Sequence, residues 1–181
     1  MVGAQVLVAR DAPIDLPAAR TLPASVSKGE REAVSDWLMF IGAPLLFASL
    51  FLTWSHQFSP AFLAQYGDTP ALQGIPHAPT AWQVYSIVDV LLAILAAGLM
   101  AVALRGTRNG RIAVLIGLVI ASAFTLHALG TPPTRGANLF DPSLHPPAYT
   151  PDHPRSGAGE LLALVGLGLG IGGVLLSFTA D

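Results

Sequence analysis

Long apolar stretches alternate along this chain with polar, proline-rich segments. Four stretches approach the roughly 20 residues that a helix needs to cross a hydrocarbon core, at about 37–55, 82–104, 112–130 and 161–179. Because main-chain amides in hydrocarbon must be satisfied within their own segment, each stretch predicts a helix. The pattern predicts an all-α membrane protein in which residues 36–181 form one domain of four antiparallel transmembrane helices.

The segments around these stretches predict a tail and two loops. Residues 1–35 read as an extended tail, with a helix start at Ser27 and Glu30, which have capping-box spacing. The loops at 56–81 and 131–159 hold four and seven prolines, eleven of the fifteen in the chain. Because proline breaks helices and removes amide donors, both loops are predicted to be irregular.

The distribution of Arg and Lys predicts the orientation of the chain in the membrane. Seven of the nine cationic residues lie in the tail or in the 105–111 link. Since cationic residues collect on the cytoplasmic side, both termini are predicted to be cytoplasmic and both loops external. Trp54 and Trp82 then fall at the outer boundary, where amphipathic rings settle.

Composition narrows the range of functions. The chain is 52% hydrophobic and 11% charged, has no cysteine and carries a net charge of −2. It has no basic surface for nucleic acid and no thiolates for disulfides or metal. Its preference for Arg over Lys, with much Ala, Gly and Pro, suggests a bacterial source. We expect a bacterial inner-membrane protein whose partners are the lipid bilayer and other membrane subunits.

Asp89 is the one acidic residue inside the second apolar stretch. On a continuous helix it shares a face with Ala93 and Ala96, whereas Leu91 and Leu99 lie on the opposite face. The small residues suit helix contacts and the leucines suit lipid. Asp89 is therefore predicted to point into the protein.

Polar residues near the predicted outer boundary are the candidate partners of Asp89. They form a predicted intramembrane cluster of Asp89, Tyr85, His127, Glu160 and His56. An Asp–His pair with added hydrogen bonds would lower the cost of burial. We interpret the cluster as a polar clamp between helices; a proton or ligand site, or an idle protonated Asp89, remain alternatives.

The histidines could also hold a metal or haem. His56 and His127 are the two at a depth suited to axial haem ligands, but no two histidines have local metal-ligand spacing. No nucleophile motif or phosphate loop is present in the sequence. We therefore expect no cofactor, no bound metal and no enzymatic activity.

The fourth stretch carries two interleaved pairs of glycines at four-residue spacing. Gly166 pairs with Gly170, and Gly168 pairs with Gly172. Such spacing lets two helix backbones approach closely. These glycines are predicted to pack against a helix, either of this chain or of another subunit.

The first two stretches resemble a loose class of small bacterial four-helix membrane proteins. The resemblance rests on Leu52 and Trp54 at the end of the first stretch and on Trp82, Ser86 and Asp89 in the second. It covers about the first two helices, and it implies a topology but no reaction.

The expected function is that of an accessory or scaffold subunit of a larger membrane complex, with no chemistry of its own. The tail and loops would then lie against other subunits. The alternative is a component that binds or transports a small molecule or ion through Asp89 and His127.

The predicted orientation can be tested by cysteine labelling. Single cysteines at Arg20 and Arg108 should react only from the cytoplasm, and those at Asp68 and His145 only from outside, because cationic segments stay inside. Labelling of position 108 from the outside would contradict the prediction.

Overall fold

The computed structural model describes residues 27–68, 72, 74–85, 87–133 and 154–180. The predicted extended tail, apart from its helix start, and most of the second loop lie outside these residues, as does Ser86. The described residues are mainly helical. The elements in chain order are α1 (Lys28–Ser49), β1 (Ser55–His56), α2 (Pro60–Tyr66), α3 (Ala81–Val84), α4 (Val88–Arg105), α5 (Arg108–Gly130), β2 (Arg155–Ser156) and α6 (Ala158–Ala180).

Three helices, α4, α5 and α6, are long and apolar enough to cross a membrane. They make the chain compatible with a multi-pass membrane protein. Helix α1 is not among these three apolar helices. Its first turns carry Glu32 and Asp36, and it ends at Ser49, so the mostly apolar residues 50–54 lie outside the helix.

The start of α1 is confirmed as predicted. The main-chain N–H of Ser27 donates to the Glu30 carboxylate (2.8 Å), and the N–H of Glu30 donates to the Ser27 hydroxyl (3.3 Å). These hydrogen bonds hold the pKa of Glu30 below its ordinary value. The reciprocal bonds satisfy amides that the helix itself leaves free.

The end of the first predicted helix is wrong by several residues. After Ser49 the chain makes a tight turn, with Leu52 N–H bonded to the Ser49 carbonyl (3.2 Å). It then becomes extended, and Thr53 bridges Thr80. Main-chain pairing with distant segments has replaced the helix that the local pattern favoured.

The second predicted helix is broken. Helix α3 ends at Val84, Tyr85 has extended dihedral angles (φ −114°, ψ 119°), and α4 begins at Val88. The Gln83 side chain accepts from the N–H of Thr80 (3.0 Å), and this hydrogen bond caps the start of α3. Asp89 consequently lies in the first turn of α4.

The buried face of α4 differs from the predicted one. Leu99, predicted to face lipid, is fully buried, whereas Leu91 is 59% exposed. Asp89 and Ala96 are buried. Leu99 follows Ala96 by three residues, so the two lie on the same face of α4, which the prediction overlooked.

The four long helices form a ring in which each contacts two neighbours. Helix α1 packs on α4 and α6, and α5 packs on the same two. Helices α4 and α6 therefore face each other diagonally across the bundle. Both begin at the end of the bundle that holds Trp54. Large buried side chains fill the interior, among them Met39, Leu46, Leu99, Leu118 and Leu167.

Glycines permit the close approach of α1 and α6. A Cβ on Gly42 would lie 2.8 Å from the carbonyl oxygen of Gly166, and one on Gly166 would lie 2.7 Å from the Leu46 nitrogen. Two turns further on, the Ser35 hydroxyl donates to the carbonyl of Gly173 (2.8 Å). The two backbones touch directly, as small-residue helix contacts allow.

The α1–α6 contact predicts a sharp difference between neighbouring glycines. Gly166→Ala should destabilise the bundle by about 1–3 kcal/mol, because the added methyl meets backbone that cannot move aside. Gly168→Ala is the matched control; nothing lies within 4 Å of its Cβ position, so it should be neutral or slightly stabilising. Thermal unfolding in detergent measures both, and equal effects would contradict the contact.

Candidate functional site

One end of the bundle is closed by three short segments that pair through their main chains. We call residues 53–57, 76–80 and 154–159 the Trp54 cap. Strand β1 pairs antiparallel with β2, with Ser55 opposite Ser156. Trp54 N–H donates to the Pro79 carbonyl (2.9 Å), and its own carbonyl accepts from Gly157 (2.8 Å). The segment around Trp54 is therefore held from both sides.

The Trp54 side chain fills the centre of this cap. It is fully buried. Its indole N–H donates to the carbonyl of Ser49 at the end of α1 (2.9 Å). The ring packs edge-on against Tyr85, with centroids 5.8 Å apart. A Cβ on Gly159 would lie 2.5 Å from the indole Cδ1, so this position in the first turn of α6 requires glycine.

Two carboxyl groups are buried beneath the cap. Asp89, in the first turn of α4, and Glu160, in the first turn of α6, are both 0% exposed. Within the described part of the chain, none of their four oxygens has a hydrogen-bond partner. The N–H of Gly157 lies near Glu160 but donates to the Trp54 carbonyl instead.

The two carboxyls lie at the same level of the bundle. A Cβ on Gly170 would lie 2.8 Å from a Leu99 methyl carbon, so these two positions meet across the interior. Asp89 precedes Leu99 by ten residues, and Glu160 precedes Gly170 by ten. Because α4 and α6 run in the same direction, both carboxyls lie about 15 Å above this contact.

Tyr85 lies beside both carboxyls. Its burial, together with Glu160 and Asp89 when they are ionised, raises the pKa of its hydroxyl to about 12. The hydroxyl therefore stays protonated at neutral pH. The ring also packs against Phe124 of α5, with centroids 5.1 Å apart.

The structure does not bring the predicted histidines into this group. His127 is exposed, and its Nε2 lies 3.4 Å from the hydroxyl of Thr131. His56 is exposed in β1. The predicted Asp89–His127 hydrogen bond is not formed. Among the described residues, no three His, Cys, Asp or Glu side chains are arranged to hold a metal ion.

The predicted glycine pairs divide between two environments. Gly166 and Gly170 pack against side chains and backbone of this chain. Gly168 and Gly172 lie on the exposed side of α6, where nothing is within 4 Å of either Cβ position.

Sequence reasoning missed the cap and the glycines that close it. Gly157 and Gly159 precede Glu160 in the stretch "GAGE". Glycines at alternate positions just before an apolar helix are a signal of close backbone approach. Read in that way, they would have indicated a bulky partner at the start of α6.

The described fold is a helical bundle closed at one end by the Trp54 cap, and its three long apolar helices suggest a multi-pass membrane protein. Comparison with known proteins found no matching family model, no matching curated protein and no matching solved structure.

Trp54 should be the most sensitive aromatic residue of the cap. Trp54→Phe removes the hydrogen bond to Ser49 and leaves a cavity, so it should lower stability by about 2–4 kcal/mol. Trp82→Phe is the matched control, because Trp82 is 40% exposed and should change stability by less than about 1 kcal/mol. Thermal unfolding monitored by circular dichroism compares the two; a larger loss at Trp82 would contradict this assignment.

Proposed function

We propose that this protein is an accessory or scaffold subunit of a larger bacterial membrane complex, with no chemistry of its own. The observation that carries the proposal is the open face of α6 at Gly168 and Gly172. Leu161, Val165 and Leu175 are exposed on the same helix. Together these five residues form what we call the open α6 face.

The glycines of this face serve no packing purpose within the described chain. Each glycine weakens a helix by about 1 kcal/mol relative to alanine unless close packing uses it. Gly166 and Gly173 are used in this way against α1, whereas Gly168 and Gly172 meet nothing. Their four-residue spacing suits the close approach of another transmembrane helix, which we take to belong to a different subunit.

A second exposed surface supports the same role. A shallow apolar groove runs between α1 and α4 and is lined by Pro44, Phe47, Ala93, Ala97 and Met100. The alanine side chains are small and leave room in this groove for a partner helix. Two faces suited to helix docking favour a subunit placed between neighbours.

The proposed placement has four spans and both termini in the cytoplasm. Helix α1 packs along α6 from Ser35 to Leu46, so a membrane crossed by α6 would also enclose α1. The cationic residues at Lys28 and in the 105–111 link lie at the ends of helices opposite the Trp54 cap, as the positive-inside rule requires for this orientation.

The alternative role, binding of a small molecule or ion by Asp89 together with His127, has less support. His127 is exposed on α5, whereas Asp89 is buried in the interior. These two side chains do not form one site.

The open α6 face can be tested by replacing its glycines. Gly168→Leu and Gly172→Leu should remove the co-purifying membrane subunits in mild detergent, because leucine keeps the helices apart. Stability should be unchanged, since both positions face outward. Ala123→Leu on the exposed side of α5 is the matched control and should retain the subunits. Native mass spectrometry measures the assembly.

Photo-crosslinking in the membrane adds a check that requires no purification. A crosslinker at position 168 should join the chain to a different polypeptide, whereas one at position 123 should not. A wild-type protein that is monomeric in lipid and crosslinks equally little at both positions would contradict the proposal, as would crosslinks to copies of itself alone.

A further inference from the structure

The proposed accessory role does not explain why the carboxyls of Asp89 and Glu160 are buried. We propose that these two side chains together form a proton-binding site beneath the Trp54 cap, and that the folded protein holds them as a neutral or singly charged pair at neutral pH. The proposal rests on their complete burial, their lack of hydrogen-bond partners and their common level in the bundle.

Ionisation of both groups is opposed by desolvation. An unpaired carboxylate removed from water is strongly disfavoured even after the protein relaxes. Both residues lie in first helical turns, where the helix dipole weakly favours negative charge. Helices α1 and α5 end at the same level with their carboxyl termini, and their dipoles act in the opposite sense. The dipoles therefore do not offset the cost of burial.

Neighbouring charges do not neutralise the pair either. The Trp54 cap contributes three titratable groups, His56, His77 and Arg155, and all three side chains are exposed. Helix α5 contributes His127, also exposed, and Tyr85 precedes α4. Thr125 is buried on α5, but its hydroxyl donates to the Ala121 carbonyl (2.8 Å). Among the described residues, no cation reaches the four carboxyl oxygens.

A proton suits this site better than a metal ion does. Hard metal ions such as Ca²⁺ require about six to eight oxygen ligands. The described residues offer two carboxyls here and no larger metal-ligating group. A proton needs no such shell, because it binds directly to one carboxylate oxygen and removes its charge.

Proton binding makes stability depend on pH in a defined direction. The folded state holds protons that the unfolded chain releases above about pH 4. Unfolding is therefore favoured as pH rises, by up to about tenfold in the unfolding constant per pH unit for each proton released. Stability should be highest under mildly acidic conditions and should fall towards alkaline pH.

Infrared spectroscopy of the protein in lipid nanodiscs tests the site. The wild type at neutral pH should show the carbonyl band of a protonated carboxyl. Asp89→Asn and Glu160→Gln should each reduce this band, and the double variant should abolish it. Glu32→Gln, which alters an exposed carboxyl of α1, is the matched control and should leave the band unchanged.

Thermal unfolding of the same proteins provides the second readout. The wild type should lose stability as pH rises from about pH 4 towards neutral, and the double variant should show a much flatter profile. Absence of the protonated band from the wild type would overturn the proposal. So would stabilisation by Na⁺ or Ca²⁺ alone that the single variants lack, because that result would indicate a metal site. If the double variant does not fold, the single variants decide the outcome.

Discussion

The backbone contact between α1 and α6 is the constraint on which the rest of the structure depends. Gly42 and Gly166 bring the two helices together without intervening side chains, and Gly173 extends the contact towards Ser35. Because backbones in van der Waals contact leave little freedom to slide, this approach fixes the level at which α6 begins. The position of every residue at the start of α6 follows from it.

The Trp54 cap is the first structure to depend on this placement. With α6 held against α1, Gly157 reaches the Trp54 carbonyl and Gly159 passes against the indole ring. The cap in turn excludes solvent from Asp89 and Glu160. Close packing in one half of the bundle thus creates an apolar environment for two carboxyls in the other half, an arrangement that is costly unless their charge is removed.

The sequence pattern predicted what depends on local periodicity and length. It predicted the apolar spans that became α4, α5 and α6, and the start of α1 at Ser27. It did not predict the end of α1, because Thr53 and Trp54 pair there with the distant residues Thr80 and Pro79. The break at Tyr85 and the burial of Leu99 were not predicted either.

The site was predicted in its residues but not in its arrangement. Asp89, Glu160 and Tyr85 were predicted from their depth along the helices. This depth follows from the number of residues that separate each of them from the end of its apolar stretch. Which carboxyl faces which neighbour depends on helix order around the bundle, and a single sequence does not encode that order in any local pattern. His127 was predicted at a suitable depth but on a face that turned out to be exposed.

The pairing of β1 with β2 has a consequence for biosynthesis. These strands are separated by about one hundred positions in the chain, and β2 directly precedes the last helix. When α1 leaves the ribosome, the segment around Trp54 has none of its later partners, and contacts between such distant segments form late. The cap can therefore close only after the segment that contains β2 has been synthesised, so its closure comes late in the assembly of the bundle.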